Sequence, residues 1–146
     1  MVSEPVRVRP NPNQVDQDYA YTYSALSVFW PESEFHALIA RWPQLADHLG
    51  TTWDEHRRRV ERHCAICERS GLRVEQLPAD VPGFEVTLAD RGVTCPEKDD
   101  LMAHPDLRSV TTPTLAWPPA RTAPCWCGSG RKYKQCCRRH GLGDLD

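Results

Sequence analysis

The C-terminal part of this chain contains four cysteines in the pattern Cys-x-Cys-x8-Cys-Cys, formed by Cys125, Cys127, Cys136 and Cys137. A segment this short has almost no apolar residues with which to build a core of its own. Four thiolates can instead hold a Zn²⁺ ion tetrahedrally, with sulfur about 2.3 Å from the metal, and metal binding then supplies folding free energy. The pattern predicts one structural zinc ion, because four thiolates leave no vacant position for a catalytic water.

The eight residues between the two cysteine pairs are suited to bring both pairs to one metal ion. Gly128, Ser129 and Gly130 let the chain reverse without steric penalty, and their backbone N–H groups can point at the sulfurs. Residues 131–137 have the length for about two helical turns. Those turns would deliver the second cysteine pair to the first.

This stretch resembles the SEC-C motif, the zinc-binding tail of the bacterial preprotein-translocation motor ATPase, which also ends many small bacterial proteins. The last ligand is commonly histidine in the motor ATPase and cysteine in many other members. Trp126 departs from the motif, where proline usually stands between the first two cysteines. The residues that match the motif are Cys125, Cys127, Gly128, Ser129, Gly130, Lys132, Tyr133, Lys134, Cys136 and Cys137.

The resemblance implies a docking function, since SEC-C tails bind a chaperone in the motor ATPase and ribosomes in some relatives. We therefore expect a zinc-binding protein whose tail docks on a protein or on the ribosome. The alternative is a charged surface that only aids solubility. The expected contact residues are basic or aromatic, namely Trp126, Arg131, Lys132, Tyr133, Lys134, Arg138 and Arg139.

Charge is divided unevenly along the chain. Residues 121–146 carry six basic and two acidic side chains, whereas the remaining residues carry 12 basic and 18 acidic ones. Four zinc-bound thiolates would reduce the tail's net charge of +4 to about +2, which still leaves a small cationic surface. The acidic remainder lacks the charge of a nucleic-acid-binding domain, so nucleic-acid binding is an alternative for the tail alone.

Periodicity predicts three helices and two strands in the rest of the chain. Residues 19–30 are rich in aromatic and β-branched side chains, which is typical of a strand. Apolar residues then recur at helical spacing from Ser33 to Gly50. Pro43 lies inside this helix and cannot donate a backbone hydrogen bond, so a break is expected near Trp42.

The segment Thr52–Glu55 matches a capping box and predicts a helix that ends near Ser70. Residues 72–78 alternate between apolar and polar side chains, as in a strand. A further helix is expected from Asp80, as its cap, to Gly92.

The order strand, helix, helix, strand, helix predicts a small α/β layer followed by the C-terminal zinc module. Two strands do not make a stable sheet, so a third is expected within residues 109–117 or from a partner. The predicted divisions are a flexible arm at residues 1–18, the α/β domain at 19–95, a Pro-rich connector at 96–120 and the zinc module at 121–146.

Two further patterns in the predicted helix that follows Thr52 invite a chemical interpretation. Cys64 and Cys67 form a Cys-x2-Cys pair on the apolar stripe, in the middle of the helix. A redox thiol is expected at a helix N-terminus, so buried core thiols are favoured over a redox pair or a second metal site. The run Arg57 to Arg59 has acidic neighbours and predicts a solvated helix face.

The sequence contains no recognisable arrangement of nucleophile, base and orienting residue, so no catalytic residue is predicted. An enzyme of unknown activity, with the zinc tail as a targeting element, is nevertheless an alternative hypothesis. The N-terminus has no apolar core of a signal peptide, and no apolar run approaches the roughly 20 residues of a membrane span. A cytoplasmic location is therefore expected.

Overall fold

The computed structural model describes residues 7–10, 23–108 and 112–141. These residues form a mixed sheet with the strand order β1-β2-β3-β4, in which β2 and β3 are parallel and both edge strands are antiparallel to their neighbours. The strands are β1 Arg7–Pro10, β2 Tyr23–Phe29, β3 Arg73–Pro78 and β4 Leu115–Trp117, and the helices are α1 Glu32–Arg41, α2 Ala46–Leu49, α3 Trp53–Arg69, α4 Val81–Arg91 and α5 Lys98–Arg108. The predicted α/β class is confirmed.

The two central strands are those predicted from the sequence. β2 confirms the strand expected at residues 19–30, although residues 19–22 lie outside the described part of the chain. Its partner β3 is parallel, with Ala25 opposite Val74. Parallel neighbours require a long crossover connection, which α1, α2 and α3 provide.

The helix boundaries follow the local signals in the sequence. The hydroxyl of Thr52 accepts a hydrogen bond from the backbone N–H of Glu55 at 3.1 Å, and the Glu55 carboxylate accepts one from the N–H of Thr51 at 2.7 Å. Asp80 caps α4 by accepting from the N–H of Gly83 at 2.6 Å. These caps satisfy backbone donors that a helix start otherwise leaves without partners.

The expected break at Pro43 is also confirmed. α1 ends at Arg41, and a 3₁₀ turn at Pro43–Leu45 separates it from the short helix α2. Gly50 then has a φ of +120°, a conformation that side-chain-bearing residues rarely adopt, and the backbone N of His56 would be 3.0 Å from an added Cβ.

The stretch predicted as a Pro-rich connector, residues 96–120, contains a helix, α5, that the sequence did not predict. Asp100 accepts a hydrogen bond from the N–H of Glu97 at 2.8 Å, which supports the start of α5. Leu101 is buried in the core, and a 2.7 Å hydrogen bond joins His104 to Thr87 of α4. Packing against α4 thus holds a helix that contains an internal proline.

β4 and β1 complete the sheet from segments that looked irregular in sequence. β4 pairs with β3 and lies within the residues where a third strand was expected. β1 pairs with β2 and lies within residues 1–18, which were predicted as a flexible arm. The other residues of that stretch lie outside the described ranges, and the division into four parts stays a prediction.

Two clusters of buried residues flank the sheet region. One lies among α1, α4 and α5 and is centred on Trp30, Phe35 and Phe84. The other lies between α3 and the sheet, and it is the cluster that positions the C-terminal module. Its members are Ala25, Phe29, Val60, Cys64, Cys67, Val74 and Trp117, with Trp126 packed against them.

Candidate metal centre

A tight hairpin presents the first cysteine pair. Pro124 and Lys132 form an antiparallel bridge, and the N–H of Cys125 donates to the carbonyl of Arg131 at 2.9 Å. Gly128 and Gly130 have φ values of +84° and +83°, so the reversal requires residues that tolerate left-handed backbone. The predicted chain reversal is confirmed, but the N–H of Gly128 donates to the carbonyl of Cys125 at 3.2 Å and not to a sulfur.

The second cysteine pair lies on 3₁₀ turns. These turns span Tyr133–Gln135 and Cys137–His140, with Cys136 between them. The prediction of about two helical turns was therefore correct in approximate length but wrong in type and start. The tighter 3₁₀ geometry suits a short segment whose ends are fixed by other contacts.

The four cysteine sulfurs converge in one buried cluster. They all lie within 4.8 Å of one another, and the Cys127 and Cys136 sulfurs are 3.6 Å apart. No thiol among the described residues is in a disulfide. A tetrahedral ion with sulfur at about 2.3 Å places its ligands about 3.8 Å apart. The described donor set therefore fits a metal ion that prefers four sulfurs.

Three of the module thiols, those of Cys125, Cys127 and Cys137, affect one another's pKa. Hydrogen bonds from Cys125 and Cys137 lower the pKa of Cys127, whereas hydrogen bonding to the Cys127 thiolate raises the pKa of Cys125 to about 11. Hydrogen bonds with Cys125 and Cys127, together with burial, raise the pKa of Cys137. One thiolate thus suppresses ionisation of its neighbours, and a bound cation reverses this effect.

Three polar side chains surround the cysteine cluster. Ser129 Oγ lies 3.2 Å and Arg131 Nη2 lies 3.6 Å from the Cys136 sulfur. Arg57 of α3 donates to the Cys137 sulfur at 3.4 Å and approaches that of Cys136 at 3.8 Å. Contacts from outside the ligand set orient ligands and tune the metal they hold.

The basic run of α3 is only partly a solvated face. The side chains of Arg58 and Arg59 are 55% and 49% exposed, as predicted, but that of Arg57 is only 12% exposed. The solvated interpretation was therefore wrong for Arg57. The reason is tertiary, because the C-terminal module packs against the turn of α3 that carries this residue.

Glu61, also on α3, is the main polar contact between the body and the module. Its side chain is almost fully buried, with the residue 1% exposed. It accepts hydrogen bonds from Tyr133 Oη at 2.5 Å, Trp126 Nε1 at 2.9 Å and Trp117 Nε1 at 3.2 Å. A buried carboxylate needs such donors to offset the loss of hydration.

Glu61 is one of the acidic neighbours of the arginine run, and its contact with the module was not predicted from the sequence. A signal was available, because Glu61 lies three residues before Cys64 and adjacent to Val60 on the buried stripe. An acidic residue beside an apolar stripe indicates a buried carboxylate that accepts hydrogen bonds. The sequence could not show that the donors come from more than 50 residues downstream.

The two aromatic residues of the module do not form an exposed contact surface. Tyr133 is 2% exposed, and Trp126 is partly buried with its ring edge-to-face on Phe29 at a centroid distance of 5.0 Å. Burial and the hydrogen bond to Glu61 raise the pKa of Tyr133. Both side chains therefore pack against the body of the same chain, so neither presents its full ring to a partner.

The basic contact residues expected from the sequence remain at the surface. All five are exposed: Arg131, Lys132, Lys134, Arg138 and Arg139. The acidic residues Asp144 and Asp146 lie outside the described ranges.

The Cys64 and Cys67 thiols are core residues, as predicted. Both are at most 1% exposed and pack among apolar side chains of α3, β2 and β3. Burial raises the pKa of each thiol. Neither belongs to the group of cysteines that converges on a possible metal position within the described ranges.

A cavity of about 460 Å³ lies between β2, α2, α3 and α5. Leu26, Leu101 and Met102 contribute apolar surface, and Arg59 and Arg62 contribute charge. His56 also lines it, but its Nε2 accepts from the N–H of Trp30 and its Nδ1 faces the carbonyl of Leu49 at 3.1 Å. The imidazole therefore serves the fold rather than general-base chemistry.

Comparisons with known proteins find similarity over only part of this chain. Residues 121–139 match the model of the SEC-C motif family. The chain is similar to the uncharacterised protein YecA of Escherichia coli strain K12 and to YecA of Shigella flexneri, each 54% identical over 37 residues. The aligned region covers 25% of this chain and 17% of each relative. No solved structure matches the chain.

In the described part of the chain, none of the helices has the length and apolar character needed to cross a membrane.

Proposed function

We propose that Cys125, Cys127, Cys136 and Cys137 bind one Zn²⁺ ion that is structural. The convergence of four buried thiols within 4.8 Å carries this proposal. Four sulfur ligands complete a tetrahedron, so the ion has no vacant position for a substrate or water. The ion supplies rigidity to a segment whose buried residues are mainly the cysteines themselves and Tyr133.

Metal analysis of the full chain tests this proposal directly. Protein purified without added metal should contain one zinc per chain and show no absorption from an iron–sulfur cluster. Iron with matching sulfide would instead assign the cysteines to a cluster, since four thiolates suit both kinds of centre. A metal content near zero in freshly purified protein would contradict a structural zinc.

We further infer that the zinc module is a docking unit and that its exposed basic side chains contact an acidic surface of a partner protein. The aromatic residues are turned inward, so recognition depends on charge rather than on stacking. This arrangement favours a protein over single-stranded nucleic acid, whose bases are commonly bound by exposed aromatic rings. The acidic body, which carries 18 acidic and 12 basic residues outside 121–146, also opposes binding to phosphate-rich surfaces.

Crosslinking in cell extract, followed by mass spectrometry, distinguishes the candidate partners. Lys132→Glu and Lys134→Glu, each as a single variant, should weaken crosslinking to the protein partner, and Arg69→Glu on the exposed end of α3 is the control with the same change of charge. Loss of the partner after ribonuclease treatment would point to the ribosome, the alternative implied by SEC-C tails. Direct binding to RNA with steep salt dependence would instead support the nucleic-acid hypothesis.

The enzyme hypothesis depends on the cavity beside α3. Its lining includes Asp47 as well as two arginines, and Arg59 pairs with Glu55 at 3.5 Å. Arg62 beside the apolar walls is therefore the observation that favours a small anionic ligand there. A thermal-shift screen of small carboxylates and phosphates, compared between wild type and Arg62→Ala, tests this second candidate. Stabilisation that is equal in the two proteins would exclude this cavity as the binding site.

A further inference from the structure

One arginine of the α/β body reaches the candidate ligand sulfurs. Arg57 Nη1 lies 3.4 Å from the sulfur of Cys137 and 3.8 Å from that of Cys136. The residue lies outside the stretch that matches the SEC-C motif, which begins at residue 121. Its neighbour Arg58 shares the same ion-pair partner, Asp54, but points to solvent.

The guanidinium of Arg57 is held in place from several sides. Its Nη2 lies 2.5 Å from Asp54 Oδ1 in the first turn of α3, and its Cζ lies 5.6 Å from the ring centroid of Trp53. One helical turn further along, Glu61 accepts the hydroxyl hydrogen of Tyr133 from the module. Arg57 and Glu61 are four residues apart and therefore lie on the same face of α3. On this face Arg57 contacts the Cys137 sulfur and Glu61 accepts from Tyr133.

The charge of a four-thiolate zinc site explains why a cation is useful at this position. Zn²⁺ with four thiolates carries a net charge of −2, and the cysteines are all at most 7% exposed. A buried charge needs compensation by hydrogen bonds or opposite charge. Arg57 supplies both, because a guanidinium presents several N–H donors in a fixed plane and stays protonated.

We propose that Arg57 is a positioning residue of the zinc site, a cation from the α/β body that donates to the sulfurs of Cys136 and Cys137. The body thereby sets the zinc affinity of the module. This inference rests on the proposed zinc function. Arg131 approaches the Cys136 sulfur from within the module at 3.6 Å, so the site is flanked by one cation from each part of the chain.

Competition with a chromophoric zinc chelator measures the expected effect on the full chain. Arg57→Gln should weaken zinc affinity about tenfold or more, which is the usual effect of losing a contact to a metal ligand. Arg58→Gln removes the same charge one residue away and should change the affinity less than about threefold, since exposed charges are screened. Arg57→Lys keeps the charge and should recover part of the loss.

The outcomes separate the inference from the function on which it rests. Wild-type protein that binds no zinc would contradict both. Wild-type protein with tight zinc, and Arg57→Gln equal to Arg58→Gln, would overturn the role of Arg57 and leave the zinc site intact. Circular dichroism of both variants identifies any general loss of folding.

Cobalt substitution adds a readout that depends on the ligand sulfurs themselves. Hydrogen bonds stabilise thiolate lone pairs, so removing the Arg57 donor should shift the sulfur-to-cobalt charge-transfer band to longer wavelength. The band of Arg58→Gln should stay where it is in the wild type. An unchanged band in folded Arg57→Gln would show that Arg57 makes no hydrogen bond to the ligands, and would overturn the proposal.

Discussion

The chain contains two groups of closely spaced cysteines that have opposite surroundings. Cys64 and Cys67 lie three residues apart on α3 and contact apolar side chains of β2 and β3. The module cysteines lie on a hairpin and on 3₁₀ turns, and they contact one another. Cysteine spacing alone therefore does not define a metal site, because the conformation of the backbone that carries the thiols determines whether the sulfurs converge.

The two groups are nevertheless connected through α3. Glu61 and Arg57 face the module from the same helix that carries Cys64 and Cys67 toward the sheet. One side of α3 therefore packs against the sheet, and another part of the surface of α3 contacts the module. The C-terminal module consequently packs against the body through α3 in this structure.

The largest expected difference between the two groups concerns metal content. Cys125→Ser with Cys136→Ser should reduce bound zinc from one per chain to near none, because two of four ligands are lost. The structural zinc of small modules supplies on the order of 10 kcal/mol of apparent folding free energy at neutral pH, so the module should also unfold. Plasma emission spectrometry and hydrogen exchange of residues 121–141 measure the two effects.

The matched control is Cys64→Ala with Cys67→Ala. This variant should retain one zinc per chain, since neither thiol belongs to the converging group. Zinc loss in this variant with the body still folded would contradict the assignment of Cys64 and Cys67 to the core alone.

Removing the Glu61 carboxylate tests the connection between body and module. Glu61→Ala leaves one hydroxyl and two indole N–H groups without their acceptor in a buried region. The free energy of unfolding should fall by roughly 3 kcal/mol or more, because each buried donor left unpaired costs about 1–3 kcal/mol. Urea denaturation followed by tryptophan fluorescence measures the change.

Glu68→Ala on the exposed side of α3 should change the unfolding free energy by no more than about 0.5 kcal/mol. Equal effects of the two substitutions would show that Glu61 does not hold the module.

Tyr133→Phe isolates a single contact of that connection. The substitution removes the hydroxyl that donates to Glu61 and keeps the ring that packs on the cysteine cluster. We expect a loss of about 2 kcal/mol in unfolding free energy, the usual value of a hydrogen bond to a charged group, with zinc content unchanged. Loss of zinc without loss of stability would assign Tyr133 to the metal site rather than to the body contact.

The smallest expected effect is that of Cys64→Ala. The substitution removes one buried sulfur and should cost about 1 kcal/mol, comparable to deleting a methyl group from a core. Burial raises the pKa of this thiol above its usual 9.0, so the unfolded chain ionises it first as pH rises.

The stability that depends on the neutral Cys64 thiol is therefore present below about pH 9 and is lost above it. Wild-type unfolding free energy should decline more steeply than that of Cys64→Ala between pH 9 and pH 10.5. Parallel pH profiles of the two proteins would contradict the burial of an un-ionised thiol.

The ends of several helices and the candidate metal ligands could be predicted from the sequence alone. The capping box at Thr52–Glu55, the Asp80 cap and the break at Pro43 fixed the ends of helices, because these signals act within a few residues. The four cysteines and the glycines between them identified the candidate metal centre for the same reason. Interactions between residues close in sequence can be predicted without knowledge of the fold.

Which side chains of the module are exposed depends on the tertiary structure. Tyr133 and Trp126 were expected as contact residues, but Tyr133 is buried and Trp126 is partly buried. Glu61 and Arg57 were expected on a solvated face, but they contact the module. α5 and β1 likewise depend on partners elsewhere in the chain. The physical reason is that burial and hydrogen bonding are set by residues distant in sequence, and no local pattern encodes where those residues will lie.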